Sequence, residues 1–170
     1  MRRPLLGHVA GALSLSAVLG WRSHEATTAA LVSLGVPDPG AAVAAIGVLV
    51  VTLGTLLLLG TLALGAVVLH LGSRLAGSDR AFPVSASTYL VATAPLWVRN
   101  LLLAGALLLG LDPARLGSLA FGDPFLLLAG YLAVVGLREV HRLSLGRALV
   151  VGAVTVLGGV VAGLLTSLAS

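Results

Sequence analysis

Apolar residues run almost without interruption through five stretches of the chain, and polar residues, prolines and glycines gather between them. The stretches extend from about Leu5 to Trp21, Ala41 to Leu71, Ser87 to Leu111, Pro124 to Leu137 and Leu145 to Leu168. The second is the plainest: its thirty-one residues hold no carboxylate, lysine or arginine, and three threonines and His70 are its interruptions. About 20 apolar residues cross a ~30 Å hydrocarbon core at 1.5 Å per residue, so this stretch predicts a helix that crosses with tilt or protrudes. The separators are a Val36–Gly40 linker, a Gly72–Pro83 turn, Asp-Pro breaks at Asp112 and Asp123, and a charged elbow from Arg138 to Ser144. Proline lacks an amide donor and glycine accepts turn dihedrals, so helices are predicted to end there.

Backbone polar groups exposed to lipid must be satisfied within their own segment, which predicts helices, and no alternating ten-residue strands of a barrel occur. The expected fold class is all-α: one domain over residues 1–170, an integral membrane bundle of five transmembrane helices. Composition agrees, with 58% hydrophobic and 9% charged residues and a mean hydropathy of +1.11. That excludes a soluble domain, and the length leaves no room for a separate one, so function is confined to helices and short loops.

Charge supplies direction. With the N-terminus placed in the cytoplasm, Arg2, Arg3, Arg74, Arg80, Arg138, Arg142 and Arg147 fall inside while Arg22 and Arg115 fall outside, so the C-terminus is expected outside and the protein in the cell membrane as a multi-pass protein. The +4 net charge rests on arginine alone, and in this setting it signals orientation and headgroup contact, not nucleic-acid binding. Without cysteine there is no disulfide, thiolate nucleophile, thiolate metal site or palmitoylation. The first segment has a second reading as a cleavable signal peptide, from Met-Arg-Arg, a short apolar run and the small residues Ser14, Ser16 and Ala17. Trp21, an interface anchor just beyond it, favours a retained span.

Two loops on the expected cytoplasmic side carry a specific pattern. The first, HLGSRLAGSDRAFPVSASTYLVATAPL, places His70, Arg74, Gly77, Phe82, Tyr89 and Pro95 in order, and the second, GLREVHRLSLGRALVV, places Gly136, His141, Leu143, Ser144, Arg147 and Ala148. Together they resemble the motifs of the YIP (Rab/Ypt-interacting protein) domain family over roughly Ala41 to Leu168. The resemblance implies five spans with a cytoplasmic N-terminus. In eukaryotes it implies association with prenylated Rab GTPases and vesicle traffic. Ala76-Gly77 stands where the family has paired glycines, and the long N-terminal extension of eukaryotic members is missing. An arginine-only, Leu/Ala/Gly-rich composition is expected of a prokaryotic member, where those GTPases are not expected partners.

Individual residues suggest sites. Arg99 falls mid-way along the third segment, where a charge costs ~2.5 to 3.5 kcal/mol on insertion scales and marks a functional position. With Asn100, Tyr89 and Thr93 it defines an intramembrane polar site, the basis of a small-transporter alternative. Against this, all six acids read as loop or helix-end residues, and a break at Pro95 would bring Arg99 to the cytoplasmic headgroups, where it snorkels. Arg74, Arg80, Arg138, Arg142 and Arg147 form a basic face for anionic lipid headgroups or for a membrane or cytoplasmic protein. Ser144 is expected to cap the fifth helix. Gly7/Gly11 and Gly159/Gly163 have the spacing of close helix packing, within the bundle or in a homo-oligomer. His8, His70 and His141 lack local metal-ligand spacing, no acid is read inside a span, no Gly-x-Ser-x-Gly occurs, and no cofactor is implied, so an enzyme is not expected. The reading is a non-enzymatic membrane scaffold or adaptor.

Overall fold

The computed structural model describes residues 2–112 and 123–168, and these form six helices and no strand. They are α1 (Arg2–Ser33), α2 (Pro39–Leu75), α3 (Phe82–Ala92), α4 (Ala94–Leu108), α5 (Pro124–Glu139) and α6 (Leu145–Leu168). The pauses are the expected ones. Pro39, Pro83, Pro95 and Pro124 each sit in the first turn of a helix, where the missing amide proton has no partner to lose. Asp38 and Asp123 cap α2 and α5 by accepting the amides of Ala41 and Phe125.

Several segment boundaries differ from the expectation. The first helix does not stop at Trp21 but runs to Ser33, so Arg22, His24 and Glu25 are helical. Nothing between Trp21 and Ser33 breaks a helix, and the stop comes at Gly35, which has φ 72°. The third segment begins earlier, at Phe82, and is two helices interrupted at Thr93, because Pro95 removes an amide from the ladder. α2 is longer than its apolar run at both ends, and α5 runs two residues past Leu137. Three helical stretches, Arg3–Ser33, Pro39–Leu75 and Phe82–Leu108, are long and apolar enough to cross a membrane. At 16 residues, α5 is shorter than a full crossing.

α1 packs along α4 and α2, α3 lies between α2 and α5, and α6 packs on α2 and α5. The buried core is small and lies toward the end holding the α2–α3 and α5–α6 loops, here called the loop end. It comprises Leu62, Ala66 and Leu69 of α2, Tyr89 of α3, Leu137 of α5, and Leu143, Ala148 and Val151. Outward faces are apolar; Leu53, Leu56, Leu57 and Leu64 of α2 are all at least half exposed, as lipid contact requires. Gly65 lets the ring of Tyr89 lie directly on the α2 backbone, in space that any Cβ would occupy.

Candidate functional site: an interlocked pair of loops

α2 ends in a glycine cap: Gly77, at φ 99°, gives its amide to the Arg74 carbonyl (3.0 Å), and Ser78 gives its own to Ser73 (2.8 Å). That reversal carries Ser78 and Arg80 across to the α5–α6 elbow. There Ser78 Oγ lies 3.0 Å from His141 Nδ1 and also accepts the Arg80 amide at 3.3 Å. Arg80 Nε donates to the Val140 carbonyl at 3.1 Å, and Arg147 Nη1 donates to the Ala76 carbonyl at 2.9 Å. Side chains from each loop thus satisfy groups of the other. Nearby, His70 Nδ1 pairs with the fully buried Ser85 hydroxyl at 3.0 Å and stands edge-on to Phe82, ring centroids 5.5 Å apart.

His141 is 3% exposed, and its Nε2 has no hydrogen-bond partner among the described residues. Burial, then the charge of Arg80 and the proximity of His70, holds its pKa below the ordinary histidine value. The elbow turns through Arg142, which adopts φ 56°. A left-handed conformation costs a non-glycine residue roughly 1–2 kcal/mol, supplied here by the contacts on either side. Ser144 stands immediately before α6, and its carbonyl, not its hydroxyl, takes the Ala148 amide at 2.9 Å.

The basic face therefore divides. Arg80 and Arg147 are structural ties, whereas Arg74, Arg138 and Arg142 are exposed and their side chains make no hydrogen bond or ion pair among the described residues. Among the described residues no three His, Asp or Glu side chains converge as metal ligands.

The intramembrane candidates are not gathered into one site. Tyr89 belongs to the core. Thr93, at the α3–α4 break, pairs with Nε2 of the buried His8 at 3.0 Å and donates back to the Tyr89 carbonyl at 2.9 Å. Arg99 and Asn100 form a separate group, and the expectation that Arg99 lacks an acid is corrected: its Nη1 lies 2.7 Å from Asp123 Oδ2. Asn100 Oδ1 accepts from Arg99 Nε and Nη2. Nor does Arg99 sit beside the loop end, since α3, packed between α2 and α5, stands between them. Fourteen residues separate it from Ser85, about 21 Å of helix. The sequence reading missed Asp123 because an Asp-Pro pair looks like a loop; it is the cap of a helix that begins at the depth of Arg99. Ser78 and Ser85 were equally unmarked, being common residues whose partners lie 63 and 15 positions away, and His8, weighed only as a metal ligand, finds Thr93 85 positions on.

Gly7 and Gly11 face Trp97 of α4 in the same chain, with the Trp97 carbonyl 2.7 Å from where a Gly11 Cβ would stand. Their close spacing serves packing within the bundle. The surroundings of Gly159 and Gly163 fall outside the described residues.

A family model for the Yip1 domain matches residues 1–166. No curated protein and no solved structure matches the chain.

Proposed function

We propose, from the premise that the chain belongs to the Yip1 domain family, that it is a non-enzymatic scaffold or adaptor of the cell membrane whose cytoplasmic face is the loop junction. The observation that supports this most is the division of labour among the arginines. Arg80 and Arg147 hold the two loops together, which leaves Arg74, Arg138 and Arg142 displayed at one end of a rigid apolar bundle. Basic side chains at a membrane boundary attract anionic headgroups at about 1 kcal/mol each, so anionic lipid is the assigned contact and an acidic protein the competing outcome. Arg99 is engaged by Asp123 and Tyr89 by the core, so neither supports the transporter alternative.

The reading includes five crossings, with the N-terminus inside. Reporter fusions after Leu34, Gly77, Gly117, Leu143 and Ser170 are expected outside, inside, outside, inside and outside; a cytoplasmic Ser170 would reject this topology. The lipid contact is read separately. Arg138→Gln with Arg142→Gln, once shown to keep topology, should lower retention of anionic lipid by the detergent-solubilised protein about fivefold per arginine at low salt, and the difference should shrink at high salt. Equal retention at both salts would leave these arginines as orientation signals. Loss of a co-purifying acidic protein with anionic-lipid retention unchanged would transfer the site to that partner.

A further inference from the structure

α1 and α2 meet closely at Ser16 and Gly54, where a Cβ on the glycine would lie 4.0 Å from the serine hydroxyl. Beyond that crossing, toward the turn joining them, they leave an open groove of about 900 Å³. Gly20 on one wall and Gly47 on the other keep it open, and a Cβ added to either would meet nothing within 4 Å. The volume falls in the range of ligand-sized sites, about 300–1,000 Å³.

The two walls differ chemically. On α2 the groove is lined by Val43, Ile46, Gly47, Val50 and Val51, with no polar side chain. The α1 wall is apolar through Ala17, Leu19 and Gly20 and then presents Arg22, His24 and Glu25. These three side chains are exposed and, among the described residues, make no hydrogen bond or ion pair. Nineteen residues, about 29 Å of helix, separate Arg22 from Arg3, which matches the ~30 Å hydrocarbon thickness. Trp21 beside it is the aromatic type that settles at such a boundary. The lining of the groove thus changes from apolar to charged at Arg22, about one hydrocarbon thickness along α1 from Arg3.

We infer that the groove holds one zwitterionic phospholipid of the leaflet opposite the loop end. Its acyl chains lie along Gly20, Ile46, Gly47 and Val50, and its phosphate meets Arg22. Arg22 and Glu25 are i, i+3 neighbours on one helix face, so the carboxylate is placed for the ammonium of the same headgroup. Matching opposite charges along an apolar slot select an amphiphile carrying both signs over a neutral diacylglycerol, which leaves both side chains unpaired. This inference concerns the far end of the bundle and does not depend on the loop-junction reading.

The test uses the full chain purified in mild detergent and exchanged with an equimolar mixture of phosphatidylethanolamine and diacylglycerol of identical chains, followed by native mass spectrometry. Wild type should keep one phosphatidylethanolamine per chain in preference to diacylglycerol. Arg22→Gln should lower that retention about fivefold and abolish the preference. Gly20→Leu with Gly47→Leu fills the groove and favours helix, so it should fold and hold no lipid. Retention unchanged in Arg22→Gln overturns the headgroup assignment whether or not the filled variant folds, and lipid kept by a folded filled variant overturns the site. The chain has no cysteine, so efficient cross-linking of Ile46→Cys between copies in bilayers would assign the groove to a second copy instead.

Discussion

Replacing Asp123 by asparagine removes a charge and little else. Asparagine caps helices as well as aspartate, so the bond from the Phe125 amide to Oδ1, 2.9 Å long, survives. What disappears is the carboxylate 2.7 Å from Arg99 Nη1. Breaking a buried pair costs about 3–5 kcal/mol, and an unpaired arginine deep in a span ~2.5 to 3.5 kcal/mol on insertion scales. The Arg99 side chain is 35% exposed while that of Asp123 is 5% exposed. The guanidinium also keeps Asn100 Oδ1. Both facts place the expected loss at the low end, about 2–3 kcal/mol. Arg99→Gln should cost a similar amount by stranding Asp123. The double variant, which strands neither, should cost less than either single change, giving a coupling of about 3 kcal/mol. Unfolding by sodium dodecyl sulfate titration in mixed micelles, followed by circular dichroism, measures all four states. Additive single changes, or a loss under about 0.5 kcal/mol for Asp123→Asn, would show that the pair is solvated and contributes nothing to the bundle.

Gly65→Ala places a Cβ inside the Tyr89 ring and should cost about 1–3 kcal/mol by the same titration, with partial recovery in Gly65→Ala/Tyr89→Leu; no recovery would locate the strain elsewhere. His141 should make stability pH-dependent. Its folded pKa lies below the unfolded value of about 6.5, so the unfolded chain binds the proton more readily. Its contribution is therefore complete above about pH 6.5 and falls as pH drops below that value toward the lower folded pKa. Thermal unfolding in detergent across pH 5 to 8 should show the decline in wild type and a flatter profile in His141→Gln. Identical profiles would mean that the histidine does not titrate with folding.

Sequence alone determined the solvent, the secondary structure and the places where helices pause, because each is a local property. An apolar run such as Ala41–Leu71 has one stable environment, and a proline or a glycine such as Gly77 acts on its own turn. The order of residues in two loops also pointed to the family. It did not reveal that α1 continues past Trp21, since weakly polar residues permit a helix without announcing its end. Tertiary structure decided which groups face each other. Asp123 pairs with Arg99 only because α5 packs on α3 and α4 in a register that starts it deep along the span, and no local signal encodes that depth. The same holds for the arginines: Arg80 and Arg138 look alike in sequence, yet one reaches a carbonyl sixty residues away while the other stays exposed. Those contacts are set by how α2, α3, α5 and α6 share one small core, in which Leu69 and Leu137 are fully buried and Gly65 gives way to Tyr89.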